Sequence, residues 1–143
     1  MKKNLAIFAL HPIPYLSPIF KEFNRFQKRT FSKYDLTVFY GNDYSKKNVY
    51  NKEFKSYIKQ DNKLLNGYNY IFLKNYPLSR KDSFFYRVNP SIIYELYNKK
   101  FDAILIHGYN TFTSWLILLI SKLYRIKIIF RGEVIDTKHK SKF

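Results

Sequence analysis

Cysteine is absent from the 143 residues, which excludes disulfides and thiolate metal sites and fits a reducing compartment. Acidic residues are scarce: 10 Asp and Glu stand against 26 Lys and Arg, a formal charge of +16. No run approaches the roughly 20 apolar residues that a spanning helix needs. The nearest, residues 115–120, is interrupted by Ser121-Lys122. The loop after the first apolar run holds no glycine, which argues against the G-x-G-x-x-G turn of a dinucleotide site. P-loop and G-x-S-x-G motifs are also missing. The 3 histidines are widely separated in sequence, and no metal cluster is visible.

Hydrophobic residues make up 46%, which favours one globular domain with a real core over disorder. Lys2-Lys3 ahead of the apolar run 5–10 mimics a signal peptide. That run is short and meets His11-Pro12-Ile13-Pro14 rather than a small-residue cleavage site, so it reads as a first strand. Lysine dominates the basic residues, and Asn, Tyr, Phe and Ile are abundant, as in AT-rich coding sequence, so part of the charge carries no functional message. The remainder attracts anionic lipid headgroups, nucleic acid or phosphorylated substrates.

Segment 101–133, FDAILIHGYNTFTSWLILLISKLYRIKIIFRGE, carries the most information. Two apolar runs, 103–106 and 126–130, end in His107-Gly108-Tyr109 and Arg131-Gly132-Glu133, with a helix-length apolar stretch at 112–124 between them. This predicts a buried strand, a crossover helix and a second buried strand, with the tripeptides at the carboxyl ends where open α/β sheets bind ligands. Upstream, 5–10, 36–40 and 70–73 read as further strands. Ser17-Pro18 and Asn89-Pro90 read as caps opening helices, the first with Leu16, Ile19, Phe20, Phe23 and Phe26 inward, the second with Ile92, Ile93, Leu96 and Tyr97 inward. Residues 43–68 form a polar excursion with a short helix expected near 53–58, and 74–87 a basic, aromatic loop. The fold class is therefore α/β: a single Rossmann-like three-layer domain over 1–135, with a mostly parallel five-stranded sheet in order 3-2-1-4-5 covered on both faces. A basic tail follows at 136–143.

That order sets the first and fourth strands side by side, so His11 and His107 are expected in one crevice with Arg131 one strand further along. A strand-end histidine hydrogen-bonds a sugar hydroxyl or stabilises charge near a leaving phosphate, or else caps a loop carbonyl. Gly108 lets a backbone approach a ligand. Arg131 either holds a phosphate in bidentate fashion or pairs with Glu133 across the turn. Acceptor binding and stiffening of the turn both remain open for His11-Pro12 and Pro14-Tyr15. Asp61 is either a ligand contact or a solvated loop residue, and residues 80–87 (RKDSFFYR) serve to wet a membrane interface, to stack on sugars or to anchor the loop.

Taken in order, these blocks resemble the N-terminal domain of GT-B glycosyltransferases of the retaining, family-4-like type. The matching pieces are HPIPYLSPIFKEF at 11–23, LTVFYGND at 36–43, D-x-x-LLNGYNYIFL from Asp61 to Leu73, NPSIIYEL at 89–96, FDAILIHGY at 101–109, TSW at 113–115 and RGE at 131–133. Many relatives carry Trp-Asp where this chain has Gln60-Asp61. The resemblance implies one half of a GT-B fold, a domain that binds a sugar or lipid-linked acceptor. Catalysis follows in a cleft shared with a C-terminal domain that holds the nucleotide-sugar donor, with no obligatory metal and no cofactor beyond that donor. His107 matches the catalytic position. His11, Tyr15, Asp61, Gly108, Tyr109, Arg131 and Glu133 are the expected substrate-binding residues.

The chain stops where such a second domain would begin, so the expectation is a fragment, a truncated frame or one half of a two-chain enzyme that transfers little alone. Its expected place is the cytoplasm, peripheral on the inner membrane face where anionic lipids lie, in polysaccharide or glycolipid synthesis. Two other classes stay open: a non-catalytic module that pairs with a separate donor-domain chain, and a basic nucleic-acid-binding protein. The α/β alternation and the lack of an RNP-type motif argue against the last.

Overall fold

A computed structural model describes residues 1–30, 33–42, 49–51, 56–58, 62–81 and 83–132. In chain order the elements are β1 (Lys3–Ala9), α1 (Ser17–Arg29), β2 (Tyr34–Tyr40), β3 (Val49–Asn51), β4 (Ser56–Ile58), β5 (Asn69–Phe72), α2 (Ser91–Lys99), β6 (Ala103–His107), α3 (Phe112–Leu123) and β7 (Lys127–Arg131). Five strands form one parallel sheet in the order β5-β2-β1-β6-β7, the expected 3-2-1-4-5. β1 and β6 are neighbours, with Leu5 opposite Ala103 and Phe8 opposite Ile106. The strand order therefore reverses at β1/β6, the place where such sheets open a crevice at their carboxyl ends.

Alternate side chains divide two cores. Ala6, Phe8, Phe39, Ile104 and Ile106 face α2 and α3, where Ile92, Leu96 and Ile117 meet them. On the other face Ala9, Val38 and Tyr40 pack against Leu16 and Phe20 at the start of α1. Each fully buried aliphatic or aromatic side chain contributes roughly 1.5–3 kcal/mol relative to exposure.

Several expectations are corrected. β7 reads as a buried strand, yet all five of its residues are exposed: it is an edge strand, and Ile129 and Arg131 line an open groove on the α1 side rather than packing under a helix. The sheet is not evenly covered on both faces: on the α1 side, an apolar groove of about 390 Å³ lies between α1 and the strands β1, β6 and β7. Ile19, which lines this groove, is 58% exposed, and Phe26 is 61% exposed, although their spacing points inward. Tyr97 is likewise exposed and packs on the ring of Tyr124, 5.6 Å away.

Ser17 is not the cap of α1. The turn is closed by Ile13, whose carbonyl accepts from the Leu16 and Ser17 N–H groups, while Ser17 Oγ accepts from buried Tyr68 Oη at 3.3 Å. Asn89 is not the cap of α2 either, since that helix opens at Ser91 after Pro90 with no side-chain cap. The helix expected near 53–58 is replaced, over its described part, by β4, which pairs antiparallel with β3. Val, Tyr and Ile at 49–50 and 57–58 favour extended backbone over helix, and the pairing satisfies backbone groups within the excursion. Residues 53–55 and the tail at 136–143 lie outside the described residues.

Candidate functional site

The crevice is built from strand ends. His107 closes β6 as the register partner of Arg131, which closes β7. The next residue, Gly108, turns the chain away at φ +89, and its N–H donates to the Arg131 carbonyl at 3.1 Å. A Cβ on Gly108 would meet no atom within 4 Å, so the space above this backbone is open to an approaching ligand. The chain then passes exposed Tyr109, whose ring lies 5.9 Å from that of Phe130, and enters α3 at Thr111. Thr111 Oγ1 caps the helix by accepting from the Ser114 N–H at 3.2 Å, so the positive end of α3 faces the loop that follows His107.

His11 follows β1 next door. Its imidazole is held below the ordinary value of 6.5, first by burial, then by the positive charge of Arg87 and by His107. A buried imidazole beside a guanidinium loses the proton that would make it a second cation. Arg87 and His107 thus both lie within electrostatic reach of His11. Arg87 is 8% exposed, and its guanidinium carbon stands 4.4 Å from the centre of the Tyr86 ring. Arg87 Nη1 and His107 Nε2 are both withdrawn from solvent.

Arg87 is held by its backbone. Its carbonyl accepts from the Thr113 N–H at 3.3 Å and lies 3.0 Å from Thr113 Oγ1. Thr113 Oγ1 also accepts from the Asn89 N–H and stands 3.0 Å from Asn89 Oδ1. Fully buried Asn89 donates Nδ2 to the carbonyls of Gly41 and Lys74, at 3.0 Å each. One side chain thus ties the carboxyl ends of β2 and β5 to the starts of α2 and α3, and Arg87 sits on that frame.

Of the residues singled out from the sequence, His11, His107, Gly108 and Arg131 come together at the carboxyl ends of β1, β6 and β7. Tyr15 is exposed in the turn before α1, and Tyr109 is exposed beside Phe130. Asp61 and Glu133 lie outside the described residues. Sequence reasoning missed Arg87 as a site residue and Asn89 as its support. The available signal was Arg87-Val88-Asn89-Pro90: a cation joined to a helix-start motif at the end of a basic aromatic loop.

The arrangement favours anions. His107 and Arg131 line one groove, Arg87 adds positive potential at His11, and the first turn of α3 has no acidic residue. Among the described residues, no three His, Asp or Glu side chains are grouped as a metal would need. None of the described helices is long and apolar enough to cross a membrane. Comparison with protein-family models, with curated proteins and with solved structures finds no match.

Proposed function

We propose that this chain is the acceptor-side domain of a glycosyltransferase, which moves a sugar from a nucleotide-sugar donor to a polysaccharide or glycolipid acceptor. The observation that carries the reading is the pairing of His107 with Arg131 at the carboxyl ends of β6 and β7, where both line one groove, with His11 following neighbouring β1. As the acceptor oxygen bonds the anomeric carbon of a nucleotide sugar, the bond to phosphate oxygen breaks and the nucleotide leaves as an anion. A cationic site is suited to receive that charge. On this reading His107 stabilises the reaction centre, Arg87 and Arg131 attract the anionic groups, and open Gly108 admits the sugar. His11, Tyr15, Asp61, Tyr109 and Glu133 complete the proposed substrate contacts. The donor is held by a second domain or chain, and the work is done at the cytoplasmic face of a membrane.

The test supplies a donor-binding domain, in cis or in trans, with labelled nucleotide sugars and lipid or glycan acceptors. His107→Ala is expected to lower transfer by roughly 10²-fold or more, the usual cost of losing a proton-transfer or charge-stabilising group. Equal transfer by parent and variant would place the chemistry elsewhere.

One observation favours a second reading, a non-catalytic module that docks on a donor-domain chain. Ile128, Ile129 and Phe130 are 40–55% exposed on an open sheet edge beside the apolar groove. Such edges pair readily with another chain. Stable association without transfer would support this reading over the first.

A further inference from the structure

A second group of cations lies on the far side of the domain. Along α1, Lys21, Arg25, Lys28 and Arg29 line a concavity of about 330 Å³ completed by Asn24 and Gly67. Spacings of three and four residues place these cations on one flank of the helix. Gly67 comes just before β5, two residues ahead of the Asn69–Thr37 pair, and Lys28 and Arg29 close α1 shortly before β2 begins. The concavity therefore sits at the amino-terminal margin of the sheet on the β5 side, whereas His107 and Arg131 stand at carboxyl ends on the β7 side. It shares no residue with the crevice.

Two contacts fix its shape. Gly67 adopts φ +94, and a Cβ there would stand 2.8 Å from Lys21 Cγ, 3.3 Å from Cδ and 3.4 Å from Cε. The lysine stem thus lies along the glycine, supported on its way to the charged tip. Asn24 Nδ2 donates to the Gly67 carbonyl at 2.7 Å, locking helix and turn together.

The charges are poorly balanced by their neighbours. Lys21–Arg25 and Arg25–Arg29 are like-charged i,i+4 pairs, which destabilise a helix. Lys28 and Arg29 are in the last turn and complement the carbonyl end of α1. Lys21 and Arg25 stand too early for that role. Glu22 approaches Arg25 at 3.5 Å, but both side chains are more than half exposed, so water screens the pair. A multiply charged anion would relieve the repulsion, with the arginines gripping oxygens in pairs and the lysines adding point charge.

The geometry points to a binding site for a compact phosphate-bearing group, a pyrophosphate or a phosphorylated headgroup, held by Lys21, Arg25, Lys28 and Arg29. The volume is at the small end of the range of about 300–1,000 Å³ typical of ligand sites. The inference stands independently of the transferase reading, because the residues and the end of the sheet both differ.

The full chain is titrated with inorganic pyrophosphate at low salt, followed by backbone amide shifts and calorimetry. Shifts are expected at residues 21–29 and 66–68. The double variant Lys21→Gln/Arg25→Gln is expected to lose at least about tenfold in affinity. A charge-matched control, Lys122→Gln/Lys127→Gln on α3 and β7, is expected to bind as the parent does. Equal loss in the control, or shifts centred elsewhere, would overturn the site by assigning the effect to overall charge. Flotation with phosphatidylglycerol and phosphatidylcholine vesicles separates the sources. Retention on the former alone, lost in the double variant and competed by pyrophosphate, makes the ligand a lipid headgroup. Pyrophosphate binding without retention makes it a soluble phosphate compound. Failure of both arms removes the proposal. Thermal melts exclude misfolding as the cause: the control is expected to match the parent, and Lys21→Gln/Arg25→Gln to match or slightly exceed it because both like-charge pairs are gone.

Discussion

The N–H of Gly108 donates to the carbonyl of Arg131 at 3.1 Å, so the turn that leaves β6 is fastened to the last residue of β7. The bond forms with Gly108 at φ +89, a backbone region that side chains make costly. Gly108→Ala is expected to destabilise the domain by about 1–2 kcal/mol through this backbone alone, since no atom blocks a Cβ there. Gly108→Asn should lose less, because asparagine tolerates left-handed conformations better. Urea melts of the three proteins check it; an alanine variant as stable as the parent would remove the strain argument.

Asn89 tests the frame behind the crevice. Asn89→Ala strips partners from the buried carbonyl of Gly41 and the part-buried carbonyl of Lys74 and is expected to cost about 2–4 kcal/mol, more than an ordinary core hydrogen bond. Thr113→Val keeps the shape but loses the hydroxyl near Arg87 and Asn89, for about 1–3 kcal/mol. Residues in one network couple, so the double variant should lose less than the sum of the single losses.

His11 predicts a pH dependence with a definite sign. Its folded value lies below the 6.5 expected of the unfolded chain. The unfolded state therefore takes up the proton first, and the contribution is fully present above 6.5 and lost as pH falls toward the folded value. Between pH 7.5 and 5.5 the parent should lose more urea resistance than His11→Gln. Parallel losses would show that His11 is not the group responsible.

Arg87 should govern the same titration. Replacing it with methionine removes a neighbouring positive charge, so the His11 pKa is expected to rise. The rise should stop short of the ordinary value, since burial is the larger cause. Histidine ring shifts followed by NMR across the titration measure it directly.

The β7 edge separates the two functional readings. Ile129 is 55% exposed, so Ile129→Lys should leave the stability of the free chain within about 0.5 kcal/mol. A module that docks through this edge should lose its donor-domain partner in the variant. An enzyme whose partner meets it elsewhere should retain both association and transfer.

The strand order was legible because apolar runs such as 5–10 and 103–106 belong to strands flanked by neighbours. The same signal misleads at β7: Ile128, Ile129 and Phe130 are as apolar as any buried strand, but an edge has a neighbour on one side only. Hydrophobicity reports what a segment can bury, not whether a covering element is there. Asn89 shows the converse difficulty. Asn-Pro before a helical pattern is a good cap by local rules, and only the meeting of β2, β5 and α3 around it turns its amide toward strand ends instead. Arg87 escaped for a similar reason. Its nearness to His11 depends on distant chain segments meeting, and no local pattern encodes that.

The buried amide of Asn89 also has a mechanical consequence. Because it ties Gly41, Lys74 and Thr113 to one side chain, that wall of the crevice cannot open piecemeal. Amide protons around this knot should exchange only through large-scale opening, while those of the loops at 11–16 and 108–111 exchange by local fluctuation. Any closure over a ligand is therefore assigned to those two loops, hinged against an immobile back plate.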